Sequence, residues 1–333
     1  MGSPHVSKIL STGSAFPSRR VTNEDLAQRI ETSDEWIRAR TGIRARRIAD
    51  PAKGETTSEL AWRAGRQALH RAGLAPAGLD CILVATVSPD HIMPNTACLL
   101  QAKLGATRAA ALDVSAACSG FVYGLAIADA FIRTGQFRTV LLVGAEVLSA
   151  LVDWEDRETC ILFADGAGAA LLGRAQADEP SRIYSTHLHA DGRLQELFVV
   201  PAGGSARPVT HAALDERLQY MRMRGREIFK VAVRLLAECA VEALEANGLR
   251  VRDLDWLVPH QANLRIIEAV AKKLGLPMGR VVVNLAECGN TSAATVPTAF
   301  DDAVSDGRIR RGDLVLFSVF GAGLTYGASL LRF

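Results

Sequence analysis

Short apolar runs alternate along the chain with longer stretches in which apolar residues recur every three or four positions. The runs at 80–85, 109–114, 140–144, 167–172, 256–258, 281–284 and 314–319 predict strands. The Ala-rich amphipathic stretches at 58–72, 120–133, 228–246 and 264–274 predict helices between them. This alternation, without a low-complexity segment or long linker, predicts a layered α/β fold.

One piece of the pattern occurs twice. Ala68-Leu-His-Arg-Ala-Gly-Leu74 followed by Leu79-Asp-Cys-Ile-Leu-Val84 returns as Ala243-Leu-Glu-Ala-Asn-Gly-Leu249 followed by Leu254-Asp-Trp-Leu-Val258. Lys103-Leu-Gly105 is echoed in the same way by Lys273-Leu-Gly275. Two similar halves, residues 1–177 and 178–333, are the simplest reading; the alternative is chance likeness between Ala/Leu-rich helices.

The chain has 333 residues, 49% of them hydrophobic and 22% charged, which excludes a disordered chain. Lys+Arg 38 against Asp+Glu 36 leaves a formal charge of +2. No global field draws it to nucleic acid, so a charged partner must meet a local patch. Its most apolar stretches, 121–132 and 140–152, are interrupted by Asp129 and Glu146 and are too short to span a bilayer. The start lacks a secretory pattern, and Val6 breaks a myristoylation pattern. Six scattered cysteines without metal-ligand spacing read as reduced thiols of a cytoplasmic protein, with no metal expected.

Three residues stand where chemistry is expected. Cys118 lies between a strand and a helical run, among Ser115-Ala-Ala117 and Ser119-Gly120. A cysteine there faces the positive end of a helix, which lowers its pKa; the other reading is a buried structural thiol. His260 follows a strand in Val-Pro-His-Gln-Ala-Asn, where open α/β sheets place ligands, or else is a loop histidine bonded to a carbonyl. Asn290, in Cys288-Gly-Asn-Thr-Ser-Ala-Ala294, alone reads as a helix N-cap. In the duplicated plan its turn corresponds to that of Cys118, so Cys, His and Asn would converge. His5, His70, His187 and His189 are weaker candidates. The glycine clusters at 165–170 and 320–327 lack GxGxxG spacing and are no dinucleotide loop; beside a thiol they offer backbone N–H groups for an oxyanion. Arg222, Arg224, Arg226 and Lys230, with Arg265, Lys272 and Lys273, form either a solvated face or a landing patch for an acidic partner.

Taken with 32–43, 113–121, 163–169, 256–265, 289–294 and 320–327, the sequence resembles β-ketoacyl-[acyl-carrier-protein] synthase III over nearly its whole length. The resemblance implies a thiolase-like fold of two duplicated halves in α-β-α-β-α layers. It implies an acyltransferase that condenses a short-chain acyl-CoA with malonyl-[acyl-carrier-protein], losing CO2 and initiating fatty-acid synthesis. Cys118, His260 and Asn290 would be catalytic, and the Gly321–Ala322 turn would help hold the oxyanion. Trp36 and Arg157 would sandwich the CoA adenine, with Arg40, Thr41 and Asn263 along the entrance. Met93, Leu148, Phe163, Met221, Met223 and Phe320 would form the acyl pocket, Met93 reaching across a homodimer. Lys230, Arg265, Lys272 and Lys273 would meet the carrier protein. CoA thioesters would be substrates, with no resident cofactor and neither nucleic acid nor membrane as partner.

Two departures bear on substrate choice. Ala322 stands where many relatives have glycine, and Met93 where an aromatic ring is common. Methionines adapt to longer chains, which predicts short primers with some tolerance of longer ones. The same triad would also serve a related condensing enzyme of specialised metabolism with a different acceptor. A non-catalytic partner subunit is disfavoured because Cys118 is present.

Overall fold

The computed structural model describes residues 5–176 and 178–333. Residues 1–4, part of the targeting reading, and Ala177, at the expected division between halves, lie outside the described residues.

One sheet joins β1 (Ser7–Ala15), β4 (Cys81–Ala85), β5 (Ala110–Val114), β6 (Thr139–Val147) and β7 (Asp165–Arg174) in the order β1-β7-β6-β4-β5. A second joins β8 (Arg182–Ala190), β11 (Trp256–Pro259), β12 (Leu314–Gly321) and β13 (Thr325–Arg332) in the order β11-β12-β13-β8. Short ribbons pair β2 (Arg19–Thr22) with β3 (Ala45–Ile48) and β9 (Phe198–Val199) with β10 (Arg222–Met223). Strand β4 runs parallel to β5 and β6, and β11 parallel to β12; the other neighbours in the two sheets are antiparallel.

The central strands are buried on both faces, which is why they read as unbroken apolar runs. Val140 and Leu142 of β6 share one cluster with Val315 and Phe317 of β12, and between them lie Phe121, Leu125 and Phe300. The Gly120–Arg133 and Thr295–Ser305 helices are therefore the middle layer. On the opposite face of β6, Leu141 and Val143 meet Leu60, Ala64 and Leu100 of the Thr57–Ala72 and Thr96–Leu104 helices. Leu314 and Leu316 meet Leu236, Ala240, Ile267 and Val270 of the Gly225–Glu245 and Leu264–Leu274 helices. The layers are thus α-β-α-β-α, the thiolase-like plan.

At the centre the backbones touch. A Cβ on Gly144 of β6 would stand 2.3 Å from the carbonyl oxygen of Ala293, closer than real Cβ contacts allow. The run at 281–284 is not a strand: Val281 forms one isolated bridge to Leu257. The Gln261 side chain takes the place of a neighbouring strand there, donating to Val282 O at 3.0 Å and accepting from Asn284 N at 3.0 Å.

Candidate active site

Cys118 and His260 stand just beyond strands that end at the middle layer, and Asn290 is itself the bridge residue opposite Phe163. Cys118 follows β5 through Ala117, whose φ of +45° is unusual for a residue with a side chain, and a short Ala117–Ser119 turn leads into the Gly120–Arg133 helix. Such a strained strand-to-helix turn presents a nucleophile at the end of a sheet. Gly321, the last residue of β12, lies against this turn: a Cβ there would stand 2.7 Å from the Cys118 nitrogen. Ser119 Oγ donates to Thr325 O at 2.9 Å, and Thr325 Oγ1 donates to Ala116 O at 2.9 Å, tying the turn to β13. The residue after Gly321 does not need positive φ, so the Ala322 methyl is accommodated, whereas Gly323 has φ of +130°.

The expectation that the helix start lowers the Cys118 pKa is corrected. Burial dominates and pushes the thiol up to about 12; Ser292 opposes this by a hydrogen bond, and the nearby Glu146 charge adds to it.

His260 follows β11, its backbone N–H donating to Ser318 O at 2.8 Å. Burial lowers its pKa to about 3, so the ring is neutral. Its Nδ1 lies 2.7 Å from Thr295 Oγ1, which is also 2.8 Å from Ser292 O. Asn290 is held as a one-residue extension of the sheet geometry: its N–H donates to Leu162 O, its C=O accepts from Ala164 N, both at 2.9 Å. It is not the N-cap of the following helical turn; that place belongs to Thr291. Asn290 Oδ1 accepts the Ser292 N–H at 2.9 Å, which leaves the amide NH2 as the end free to donate.

One cavity of about 1090 Å³ brings together Cys118, His260, Asn290, Phe320, Gly321 and Ala322 at its inner end. Trp36, Arg40, Thr41, Arg157 and Asn263 also line it, as do Phe163, Met223, Lys230 and Arg265. Other expected residues stand elsewhere. Leu148 and Met221 are buried behind Phe163 and do not reach the cavity wall. Met93 of this chain is 82% exposed. Lys272 and Lys273 sit in the last turn of the Leu264–Leu274 helix, away from the cavity. Of the three methionines expected to adapt to longer acyl chains, only Met223 is on this wall, beside the stacked rings of Phe163 and Phe198.

The entrance also differs from the expected slot. Arg157 rests directly on Trp36, 4.6 Å from the ring centre, and Arg40 lies 4.1 Å from the same ring. A flat ring inserted between two partners needs about 7 Å. Cation–π attraction closes the gap, leaving no room for a further flat ring between Trp36 and Arg157. Thr41 Oγ1 donates to Ile37 O and accepts from Ile43 N, while Asn263 caps Arg265 N and donates to Arg40 O. Both shape the entrance with their polar atoms already engaged.

Phe198, Leu162 and Leu324 line the cavity without a signal in the sequence. Ser292 and Thr295, which support the triad, lay in plain view beside Asn290. Apart from this site, His189, Cys239 and Glu242 offer ligand atoms within 4.8 Å of one another, but Glu242 already bonds both His187 and His189.

Comparisons with known proteins bear on the family and the fold. Residues 112–192 match the family model for 3-oxoacyl-[acyl-carrier-protein] synthase III, and residues 244–333 match that for its C-terminal part. The chain is 54% identical over 327 residues to the β-ketoacyl-[acyl-carrier-protein] synthase III of Methylococcus capsulatus, covering 98% of this chain and 99% of that protein. It is 52% identical to the enzyme of the same name from Alkalilimnicola ehrlichii, with the same coverage. The crystal structure of 3-oxoacyl-[acyl-carrier-protein] synthase III from Aquifex aeolicus superposes with a TM-score of 0.90 at 46% identity, covering 98% of this chain and all of that one.

Proposed function

Since the chain belongs to the β-ketoacyl-[acyl-carrier-protein] synthase III family, we propose that this cavity joins a short-chain acyl-CoA, foremost acetyl-CoA, to malonyl-[acyl-carrier-protein]. The products are β-ketoacyl-[acyl-carrier-protein], CoA and CO2, the reaction that initiates fatty-acid synthesis. The observation that carries this reading is the meeting of Cys118, His260 and Asn290 at the inner end of one cavity.

Cys118 Sγ attacks the thioester carbonyl, and the oxyanion is held by backbone N–H groups of Cys118 and of the turn after Gly321. CoA leaves, and malonyl thioester takes its place. Loss of CO2 then leaves an enolate, whose oxygen accepts hydrogen bonds from His260 Nε2–H and the Asn290 amide. Neutrality of His260 suits a hydrogen-bond donor, and each such preorganised donor stabilises the transition state by roughly 3–4 kcal/mol. The carbanion attacks the acyl carbonyl, and the Cys118 thiolate leaves.

Lys230 and Arg265, with Arg224 and Arg226 at the cavity mouth, suit the phosphopantetheine and acidic surface of a carrier protein; Lys272 and Lys273 extend the same helix outward. Among the described residues no helix is long and apolar enough to cross a membrane, in keeping with action in the cytoplasm. A homodimer, with the partner's Met93 closing the acyl pocket, accounts for the exposure of Ile92 and Met93. The division into halves 1–177 and 178–333 accords with the two sheets.

Intact-protein mass spectrometry tests the reading. Mixing with acetyl-, butyryl-, isobutyryl- and octanoyl-CoA should acylate the wild type but not Cys118→Ala, and malonyl carrier protein should discharge the acyl group. Acylation of Cys118→Ala, or an acyl-enzyme that malonyl carrier protein leaves intact, overturns it.

A further inference from the structure

Strand β8 is the edge of its sheet, and two of its histidines, His187 and His189, are two residues apart and so share one face. The Gly225–Glu245 helix packs against this strand. Its Cys239 and Glu242, three residues apart and thus neighbours on one side of the helix, meet the histidines there. His189, Cys239 and Glu242 each offer a ligand atom within 4.8 Å of the other two. None of these residues lines the catalytic cavity.

The donors are already oriented toward one another. Glu242 Oε2 lies 2.7 Å from His189 Nε2, and Oε1 lies 3.3 Å from His187 Nδ1. Among the described residues the two imidazoles are the only ion-pair partners of this carboxylate, so no lysine or arginine has to be displaced from it. The His189 ring stacks on Tyr326 at 5.4 Å, and its backbone carbonyl accepts from Tyr123 Oη at 2.7 Å, which together hold the ring in place. His187 turns its other nitrogen, Nε2, to Ser185 Oγ at 3.0 Å, and that hydroxyl accepts from Asn247 Nδ2 at 2.7 Å. His187 is thereby fixed as a support for the Glu242 carboxylate. Cys239 is a free thiol buried in the apolar layer beneath the helix. A hollow of about 580 Å³ lined by His187, Glu242, Glu238, Glu245 and Lys273 opens beside the group and gives an ion a way in.

One imidazole nitrogen, one sulfur and one carboxylate oxygen form a mixed donor set that suits Zn2+, whereas Ca2+ and Mg2+ take oxygen ligands. Three protein ligands and a water complete a tetrahedron whose donor-to-donor edges are about 3.3–3.8 Å, so the present spacing must close by about 1 Å. The Glu242 side chain, 41% exposed, has the freedom to make that movement.

We propose that His189 Nε2, Cys239 Sγ and a Glu242 carboxylate oxygen bind a zinc ion that clamps edge strand β8 to the Gly225–Glu245 helix, with His187 orienting Glu242. On binding, the Cys239 thiol proton is released to solvent and the sulfur donates its electron pair to the metal. The His189–Glu242 hydrogen bond is given up, and the His189 proton is exchanged through water from Nε2 to Nδ1. No oxidant or reductant takes part. The sequence conceals the site because its donors lie on a strand and a helix that meet only in the fold.

The test titrates the chelator-stripped full-length protein with Zn2+, and with Co2+ as a spectroscopic stand-in. Wild type and Cys118→Ala should each bind one equivalent of Zn2+, and their Co2+ forms should show the charge-transfer absorption of a cobalt thiolate. Cys239→Ser should lose that absorption. His187→Ala should weaken Zn2+ binding by about 10- to 100-fold, and His189→Ala and Glu242→Gln by more. Absence of stoichiometric binding at micromolar Zn2+ overturns the proposal. So does a charge-transfer band that persists in Cys239→Ser or vanishes in Cys118→Ala. If Cys239→Ser fails to fold, an unchanged Zn2+ affinity in Glu242→Gln, a substitution at a half-exposed side chain, overturns it alone.

Discussion

Replacing Thr295 by valine keeps the shape of the side chain and removes one hydroxyl from between His260 Nδ1, at 2.7 Å, and Ser292 O, at 2.8 Å. That hydroxyl has a single proton to give. Given to Nδ1, it leaves the ring proton on Nε2, where it can meet an enolate oxygen. Given to Ser292 O, it forces Nδ1 to donate and makes Nε2 a bare acceptor, useless to an enolate. Decarboxylation as proposed requires the first arrangement, so Thr295 is a positioning residue for His260. Removing one partner of a buried hydrogen bond costs about 1–3 kcal/mol, or about 5- to 150-fold in rate if it falls wholly on the transition state. The assay separates the halves of the reaction: acylation of Cys118 by acetyl-CoA, then decarboxylation of malonyl carrier protein by the isolated acyl-enzyme. Thr295→Val should slow the second step within that range, leave the first near the wild-type rate, and be rescued by Thr295→Ser. Equal loss in both steps, or wild-type decarboxylation, would refute the assignment of the tautomer to Thr295.

Gly321→Ala should abolish acylation, because its Cβ would stand 2.7 Å from the Cys118 nitrogen and displace the turn; acyl-CoA titration of the purified variant by mass spectrometry checks this. Paired Arg224→Glu and Arg226→Glu should weaken turnover of malonyl carrier protein more than acylation by acetyl-CoA, read as separate KM values. His260 is neutral when folded down to about pH 3 but takes a proton near 6.5 when unfolded, so its contribution to stability is lost as pH falls through that window. His260→Asn should therefore lose stability on acidification less steeply than wild type, by about 1.4 kcal/mol per pH unit in denaturant melts. Glu146 acts oppositely between 4.5 and about 7, being more stable folded when protonated, but it is common to both proteins and cancels in the difference.

What could be read from the sequence follows from where each group finds its partners. Strands β4, β6 and β12 are legible because both their faces meet apolar layers. Strand β1 is not, because Ser7, Thr12 and Ser14 are satisfied by Asp129 and Asp301, more than a hundred residues away. The run at 281–284 misleads because a single glutamine side chain imitates the strand that would have paired with it. The positions of Cys118, His260 and Asn290 are legible because each follows a recognisable local motif. Their protonation is not: burial overrides the helix at Cys118, and only the folded chain shows how deep the thiol and the imidazole lie. Glu146 is visible in the sequence only as a charge interrupting an apolar stretch, the mark of a buried acid whose partners, Thr86 and Ser88, lie some sixty residues away.

The contact between Arg157 and Trp36 makes stacking on that indole an exchange. A guanidinium already covers the ring, so any flat group arriving there gains only the difference between two stackings, and one that departs is replaced by a group tethered to the chain.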